Sequence, residues 1–370
     1  MENENWFRLN HPEKIDTPAL LVYKERVERN IEEMMAIAGD PARLIPHVKT
    51  HKMQEVVALQ IDKGIRRFKC ATIAEAEMLA RAGAAAVLLA YQLNEPKVDR
   101  FLELVIKYPR ITWSSLVDNI HSARLLQGRF AAAGFTASVF LDIDNGMHRT
   151  GIAPGLALAL AKEIDALPNV RIVGLHAYDG HIHDADYAVR KQRCEEGMKP
   201  VWDLAAQMDE AGWKFLVVIA GGTPSFTVHA LRKDILCSPG TCLLWDHGYG
   251  QKFTEQHFLP AAVLMTRVVS KPAPGLITTD LGHKSVSAEN PIDKRIFFLN
   301  LEGYTVVSQS EEHLVLQVSP EHEPEVGEVL YGIPYHVCPS VALHDEARVI
   351  VNGEEIGQWA VIARKRKISI

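Results

Sequence analysis

From residue 44 onward, and for about two hundred residues, short apolar runs of strand length alternate with stretches whose apolar residues recur at helical spacing. The runs at 44–48, 66–71, 86–90, 111–116, 137–143, 171–177, 215–221 and 234–238 predict strands. Helical patterns fill 51–63, 73–83, 94–107, 117–133, 154–166, 186–212 and 224–231. The runs are continuously apolar, as in Ala86-Val-Leu-Leu-Ala90, which suits a parallel sheet buried on both faces. Eight such units predict an α/β fold of the (β/α)8 TIM-type barrel. A doubly wound open sheet is the alternative, weakened because no GxGxxG follows the first strand. Ahead of the alternation, Ala19-Leu-Leu-Val-Tyr23 reads as a strand after the turn-like Asp16-Thr-Pro18, and Val27, Ile31, Met34, Met35 and Ile37 mark a helix over 24–38.

Past residue 252 the pattern changes. Runs at 268–269, 276–279, 295–300, 304–307, 314–318 and 348–351 read as strands joined by turns such as Ala273-Pro-Gly275 and Val351-Asn-Gly353, with no long helical pattern between them. The expectation is a barrel over 16–252 and a mostly antiparallel β domain over 253–370, with residues 1–15 packing onto the latter.

Composition narrows the class. With 47% hydrophobic residues and a net charge of -6, the chain lacks the basic surface that a nucleic acid or an anionic membrane demands. No run approaches the length of a membrane span, and the first residues have neither a cationic segment nor an apolar one. The five cysteines are scattered, odd in number and without a CxxC, as expected of reduced thiols in a cytoplasmic enzyme.

Candidate chemistry falls at the predicted strand ends. In Pro46-His-Val-Lys-Thr-His-Lys52, a buried strand delivers Lys49 to its mouth, among apolar walls and beside the cation Lys52, and Thr50 is placed to cap the next helix. Such an amine is a nucleophile toward a carbonyl, and the chemistry implied is a Schiff base with pyridoxal phosphate. The alternative is that Lys49, His51 and Lys52 form the basic rim of a loop. Strands seven and eight end in Ala220-Gly-Gly-Thr-Pro-Ser-Phe226 and Cys237-Ser-Pro-Gly-Thr241. The loops after those two strands are where a barrel often holds phosphate, and glycines let backbone N–H groups approach it. Strand six runs into Tyr178, a possible partner for a phosphate oxygen, and into His181 and His183, which are acid–base groups or surface polar residues. Strand five runs into Arg149, which either approaches a cofactor or substrate or pairs with Asp142 or Asp144. In the β domain, His336-Val-Cys338 would converge on one ion if extended, since residues i and i+2 point the same way. Asp280-Leu-Gly-His-Lys284 and Glu311-Glu-His313 line the same cleft or are solvated turns.

Taken together these motifs resemble the fold-type III pyridoxal-phosphate enzymes with an alanine racemase-like barrel, specifically the D-threonine aldolase / D-serine dehydratase family. The resemblance covers nearly the whole chain. It rests on the Lys49 segment, Ala71-Thr-Ile-Ala-Glu-Ala-Glu77, Gly146-Met-His-Arg-Thr-Gly151, Ala177-Tyr178 with Gly180-His181, Gly221-Gly-Thr-Pro224, Pro239-Gly-Thr241 and His336-Val-Cys-Pro339. It implies that Lys49 carries the cofactor and that Arg149 lies near its pyridine ring. It further implies that Tyr178, Gly222, Thr223, Gly240 and Thr241 hold the phosphate, and that a divalent metal, zinc or manganese, sits on His336 and Cys338. A homodimer is also implied. The chain departs from the family's Asp-x-Gly-Ser-Lys at Asp280-Leu-Gly-His-Lys284, and His-x-Cys follows the dehydratase form where aldolases carry His-x-Asp.

The resemblance therefore implies a lyase of D-3-hydroxy amino acids. In the aldolase reading, D-threonine gives glycine and acetaldehyde, with His181 as a candidate base at the β-hydroxyl. In the dehydratase reading, Lys49 takes the Cα proton of D-serine or D-3-hydroxyaspartate, and a 2-oxo acid and ammonia result. Amino-acid racemization would leave His336 and Cys338 idle, and a non-catalytic cofactor carrier would not need the β domain.

Overall fold

The computed structural model describes residues 5–370 apart from 215, 320 and 322. The described chain forms two compact units. One comprises residues up to 33, 50–53 and 241–364, and the other 34–49, 54–240 and 365–370.

Strand β1 (Ala19–Tyr23) leads straight into α1 (Lys24–Ala38). The larger unit then carries β2 (Arg67–Cys70), β3 (Ala86–Gln92), β4 (Thr112–Val117), β5 (Ala137–Ile143), β6 (Val170–Ala177), β7 (Val217–Ala220) and β8 (Ile235–Cys237). All seven are parallel and pair in sequence order. The expected first stave at 44–48 joins the two edges: Leu44 bridges Cys237 and His47 bridges Lys69. Ile45 N–H donates to the Cys237 carbonyl and Val48 N–H to that of Lys69, both at 3.0 Å. Pro46 has no N–H to give, so this stave closes the sheet by bridges rather than as a regular strand. Ile45, Leu88, Leu116, Phe140 and Ile219 meet inside the closed sheet.

Helices α2 (Gln54–Asp62), α3 (Ile73–Ala82), α4 (Glu95–Lys107), α5 (Ile120–Ala132), α6 (Pro154–Asp165), α7 (Tyr187–Glu210) and α8 (Phe226–His229) alternate with the strands as the spacing predicts. Thr72, Asn119 and Asp186 cap three of them through their side chains. One start differs from expectation. Residues 48–51 form a turn and α2 begins at Gln54, so Thr50 is not its cap. Phe215, at the expected start of strand seven, lies outside the described residues.

After α9 (His247–Lys252) come β9 (Ala262–Ala273), β10 (Leu276–Thr279), β11 (Ile296–Phe298), β12 (Thr305–Gln309), β13 (Leu314–Gln317), β14 (Val329–Pro334), α10 (Val337–Val341), β15 (Glu346–Val351) and β16 (Glu354–Ala360). They pair antiparallel among themselves. Although β1 precedes the barrel staves in the chain, it pairs antiparallel with β9 and parallel with β15, and so joins this second sheet. Leu21, Tyr23, Val263, Met265, Tyr331, Ile333 and Ile350 form the core there. Among the described residues, no helix is long and apolar enough to cross a membrane.

Candidate active site

Within the barrel unit, functional groups gather at the C-terminal ends of the strands, around the ring of Tyr178. Lys49 Nζ lies 5.8 Å from its centre, Lys69 Nζ 5.5 Å, and the Arg149 guanidinium carbon 4.8 Å. Three cations share one aromatic face region, each attracted by the ring's quadrupole and repelled by the others. The ring is held by glycines: a Cβ on Gly180 would stand 2.5 Å from Tyr178 Cε1, and one on Gly222 2.9 Å from Cε2.

Two buried carboxylates serve this region, and both are occupied. Asp142, at the end of β5, meets His176 Nδ1 at 2.7 Å and accepts from Gln92 at 2.8 Å and Thr150 at 2.9 Å. Burial works against its charge, but these bonds hold its pKa below the usual carboxylate range. Asp179 accepts from Ser225 Oγ at 2.6 Å and lies 2.6 Å from His229 Nε2, and its pKa too is held low against burial. On the cationic side, burial and the neighbouring Lys49 and Arg149 push Lys69 down to about 7, with Asp142 and Asp179 opposing them. His176 is also lowered, by burial first, and then by Lys69 and Arg149.

The two expected phosphate loops are tied into one frame. Gly240 N–H donates to Thr223 Oγ1 at 3.0 Å, Gly222 N–H to Ser225 Oγ at 3.3 Å, and Ser238 Oγ to the Gly221 carbonyl at 2.7 Å. A Cβ on Gly240 would sit 2.5 Å from the His47 carbonyl oxygen, so only glycine allows this approach. Three cations face two carboxylates, which leaves the region one negative charge short. A phosphate monoester carries about −1.5 to −2 at neutral pH and fits that deficit.

In the other unit, His336 and Cys338 meet, though not by the expected geometry. The chain bends after β14; His336 is the N-cap of α10 and Cys338 lies in that helix's first turn. Cys338 nevertheless acts electrostatically on the His336 imidazole, whose Nδ1 is bonded to Glu289. Burial opposes the imidazolium, but Cys338 and Glu289 outweigh it and push His336 up to about 9. Thr50 Oγ1 lies 3.1 Å from Cys338 Sγ and Thr241 Oγ1 3.5 Å, so these two hydroxyls face the thiol. A cavity of about 310 Å³, lined in part by Asp246, Tyr249, Lys294, Tyr335 and His336, opens beside them. An imidazole and a thiolate backed by a carboxylate suit a borderline-soft divalent ion, and the cavity leaves room for its remaining positions. Among the described residues, a closer gathering of three metal-type donors occurs at Asp179, Cys194 and His229. There the carboxylate is already taken up by Ser225 and His229, which marks a hydrogen-bonded hub.

The remaining candidates divide. His181 lies against Gly146, where a Cβ would be 3.1 Å from its Nε2, and its buried Nδ1 has no hydrogen-bond partner among the described residues. Its pKa is lowered, chiefly by burial. Asp144, the alternative partner for Arg149, bonds His148 instead. Asp280 is structural: it accepts from Thr17, Thr266 and the Arg267 N–H. Lys284 makes exposed ion pairs with Glu311 and Glu312. Sequence reasoning missed Lys69, His176, Asp179 and Glu289. Lys69 had a readable signal, a charged residue inside an otherwise apolar Phe68-Lys69-Cys70 stave.

Comparison with known proteins shows the family and the fold. The family model described as "Alanine racemase, N-terminal domain" matches residues 22–247, and a second, for a domain named after D-serine dehydratase, matches 261–350. A D-threonine aldolase of Arthrobacter is 29% identical over 361 residues, 95% of this chain and 93% of the aldolase. A D-threo-3-hydroxyaspartate dehydratase of Delftia is 28% identical over 225 residues, 60% of this chain and 58% of the dehydratase. The crystal structure of D-threonine aldolase from Filomicrobium marinum superposes with a TM-score of 0.86 at 28% identity, covering 95% of this chain and 96% of that one.

Proposed function

Since the chain belongs to the alanine racemase N-terminal-domain family of fold-type III pyridoxal-phosphate enzymes, and is a lyase of that family, we propose that it cleaves D-3-hydroxy amino acids in the manner of a D-threonine aldolase, with the help of a divalent metal. The observation that carries this reading is the placing of His336 and Cys338 at the start of one short helix, with Glu289 bonded to His336 Nδ1. Chemistry at a β-hydroxyl calls for such a metal-type donor pair, and racemization at Cα does not.

Bound pyridoxal phosphate supplies an electron sink for the charge left at Cα, and a zinc or manganese ion supplies a Lewis acid for the β-hydroxyl. Lys49 would offer its amine to the cofactor's carbonyl, and Arg149 would lie near its pyridine ring. Tyr178, Gly222, Thr223, Gly240 and Thr241 hold the phosphate, while Ser225 and Ser238 fix the loop that presents it. His336 and Cys338 would hold the metal, with Glu289 at His336 Nδ1 orienting the imidazole. His181, with its pKa lowered, is the candidate to accept the β-hydroxyl proton. Cleavage of D-threonine then yields glycine and acetaldehyde. Residues 16–252 form the cofactor-binding part and 253–370 the metal-binding part of a cytoplasmic homodimer in this reading.

The thiol at position 338 favours a second reading, dehydration. There Lys49 takes the Cα proton, the β-hydroxyl leaves as water, and a 2-oxo acid and ammonia follow. Product analysis separates the two. D-threonine and D-serine are incubated with the protein and pyridoxal phosphate, with and without added Mn²⁺ or Zn²⁺. Glycine with acetaldehyde supports the aldolase; 2-oxo acid with ammonia replaces it by the dehydratase. Full activity after complete metal removal would refute both.

A further inference from the structure

Strand β2 carries a lysine between apolar neighbours. Lys69 is 2% exposed, and an amine is not buried to that degree without compensation. Its Nζ donates to Ser238 Oγ at 2.5 Å, and Ser238 passes its own proton toward the Gly221 carbonyl at 2.7 Å. On its other side Nζ lies 3.4 Å from His176 Nε2, whose Nδ1 is engaged by Asp142. One amine thus braces the glycine loop after β7 and reaches into the barrel interior.

The groups that face Lys69 are Lys49 from the first stave, Asp142 and Arg149 from β5 and its loop, His176, Tyr178 and Asp179 from β6 and its loop, and Ser238 after β8. The two carboxylates among them are committed to His176, Gln92 and Thr150, and to Ser225 and His229. Its bonded neighbours are a hydroxyl and an imidazole. Lys49, Lys69 and Arg149 outnumber these two carboxylates, and the excess positive charge is left for a ligand to balance.

We propose that Lys69 is a further binding residue of the site: its ammonium is completed by the anion of a phosphorylated ligand. The inference rests on the pyridoxal-phosphate reading and adds a cation to it that no motif of the sequence assigned. The depressed affinity of this amine for its proton, caused first by burial and then by Lys49 and Arg149, agrees with the geometry.

The test uses the full chain freed of cofactor and two probes, pyridoxine 5'-phosphate and pyridoxine. Both carry an alcohol where the cofactor has its aldehyde, so neither forms a covalent link to Lys49. Calorimetry between pH 6.5 and 8.5, in buffers of different ionisation enthalpy, gives affinity and protons taken up. The phosphate's own second ionisation, near pH 6, is common to every protein compared. Wild type is expected to bind pyridoxine 5'-phosphate with proton uptake that Lys69→Met lacks. The variant is expected to bind it about tenfold or more weakly, as loss of a charged partner implies, while its affinity for pyridoxine moves less than about twofold. Lys69→Gln, which keeps a hydrogen-bond donor without the charge, is expected to match Lys69→Met and is read alone if that variant does not fold. Variants that keep wild-type affinity and proton uptake overturn the role of Lys69 and leave the cofactor reading standing. Equal weakening toward both probes also overturns it, in favour of a purely structural lysine. A wild-type protein that binds neither probe overturns the cofactor reading and this inference with it.

Discussion

The ring of Tyr178 lies against the α-carbon of Gly222, so closely that a Cβ there would stand 2.9 Å from ring Cε2. The same ring sits 4.8 to 5.8 Å from Arg149, Lys69 and Lys49. The glycine loop after β7 therefore fixes the ring, and the ring fixes where three positive charges meet. Loop and charge cluster form one mechanical unit, and a disturbance at either is felt by a ligand that uses both.

Gly222→Ala tests this directly. The added methyl has to displace the ring or the loop, an overpacking strain of about 1–3 kcal/mol. Titration of the cofactor-free variant with pyridoxal phosphate, followed by the visible band, is expected to give an affinity about tenfold below wild type. An unchanged affinity would mean that the ring yields freely and does not position the ligand.

At the other centre, Glu289 stands behind His336 as an orienting carboxylate. Glu289→Gln keeps the shape and removes the charge, and partners of this kind are typically worth 10–100-fold in metal affinity. Competition with a chelator, read by metal content, is expected to show roughly that loss. Cys338→Ala is expected to lose the metal altogether. Because Cys338 is half-exposed while the other four cysteines are buried, it is also the thiol that an alkylating reagent should label, and bound metal should slow the labelling.

Much of this layout was legible because it is local. The apolar runs do not mark β14 or β16, but the barrel staves, the helices between them and several strands beyond residue 260 follow from apolar periodicity in one stretch of chain. So do the glycine loops and Lys49, since strand ends and turn residues are read in sequence order. What could not be read is pairing at a distance. β1 resembles a first barrel stave in the chain, yet only its partners β9 and β15 decide which sheet it joins. Glu289 lies 47 residues from His336, and Asp179 lies 50 from His229, with no motif linking either pair. Thr50 looked like a helix cap because a polar residue precedes a periodic run; its hydroxyl faces Cys338, 288 residues away.

His51 gives the acid limb of stability. Burial, and then Lys52, lower its imidazole from 6.5 to about 3, so the folded protein holds it neutral. The unfolded chain takes up that proton more readily. The stability carried by neutral His51 is therefore complete above pH 6.5 and drains away as the pH falls toward 3. Between pH 7 and pH 5 the loss is about 2 kcal/mol. Denaturant unfolding at both values is expected to show that loss in wild type and to show it shrink in His51→Gln, which cannot be charged. A variant with the same acid sensitivity would assign the effect to other groups.

Ser225 separates holding a phosphate from holding the fold. Its Oγ accepts the Gly222 N–H at 3.3 Å and donates to Asp179 at 2.6 Å, and Asp179 also engages His229. Ser225→Ala leaves a buried carboxylate one donor short and frees the N–H end of the loop, a cost of about 1–3 kcal/mol in stability. If that were the whole effect, pyridoxal and pyridoxal phosphate would weaken alike. In the proposed reading the loop meets only the phosphate, so pyridoxal phosphate is expected to lose about tenfold more affinity than pyridoxal. Turnover at saturating cofactor should stay near wild type, because Lys49 and the proposed metal ligands are untouched. Metal content should also be unchanged, since His336 and Cys338 belong to the other unit. A fall in turnover at saturating cofactor, with no selective loss toward the phosphorylated ligand, would show that the serine serves the chemistry through some route other than the loop it braces.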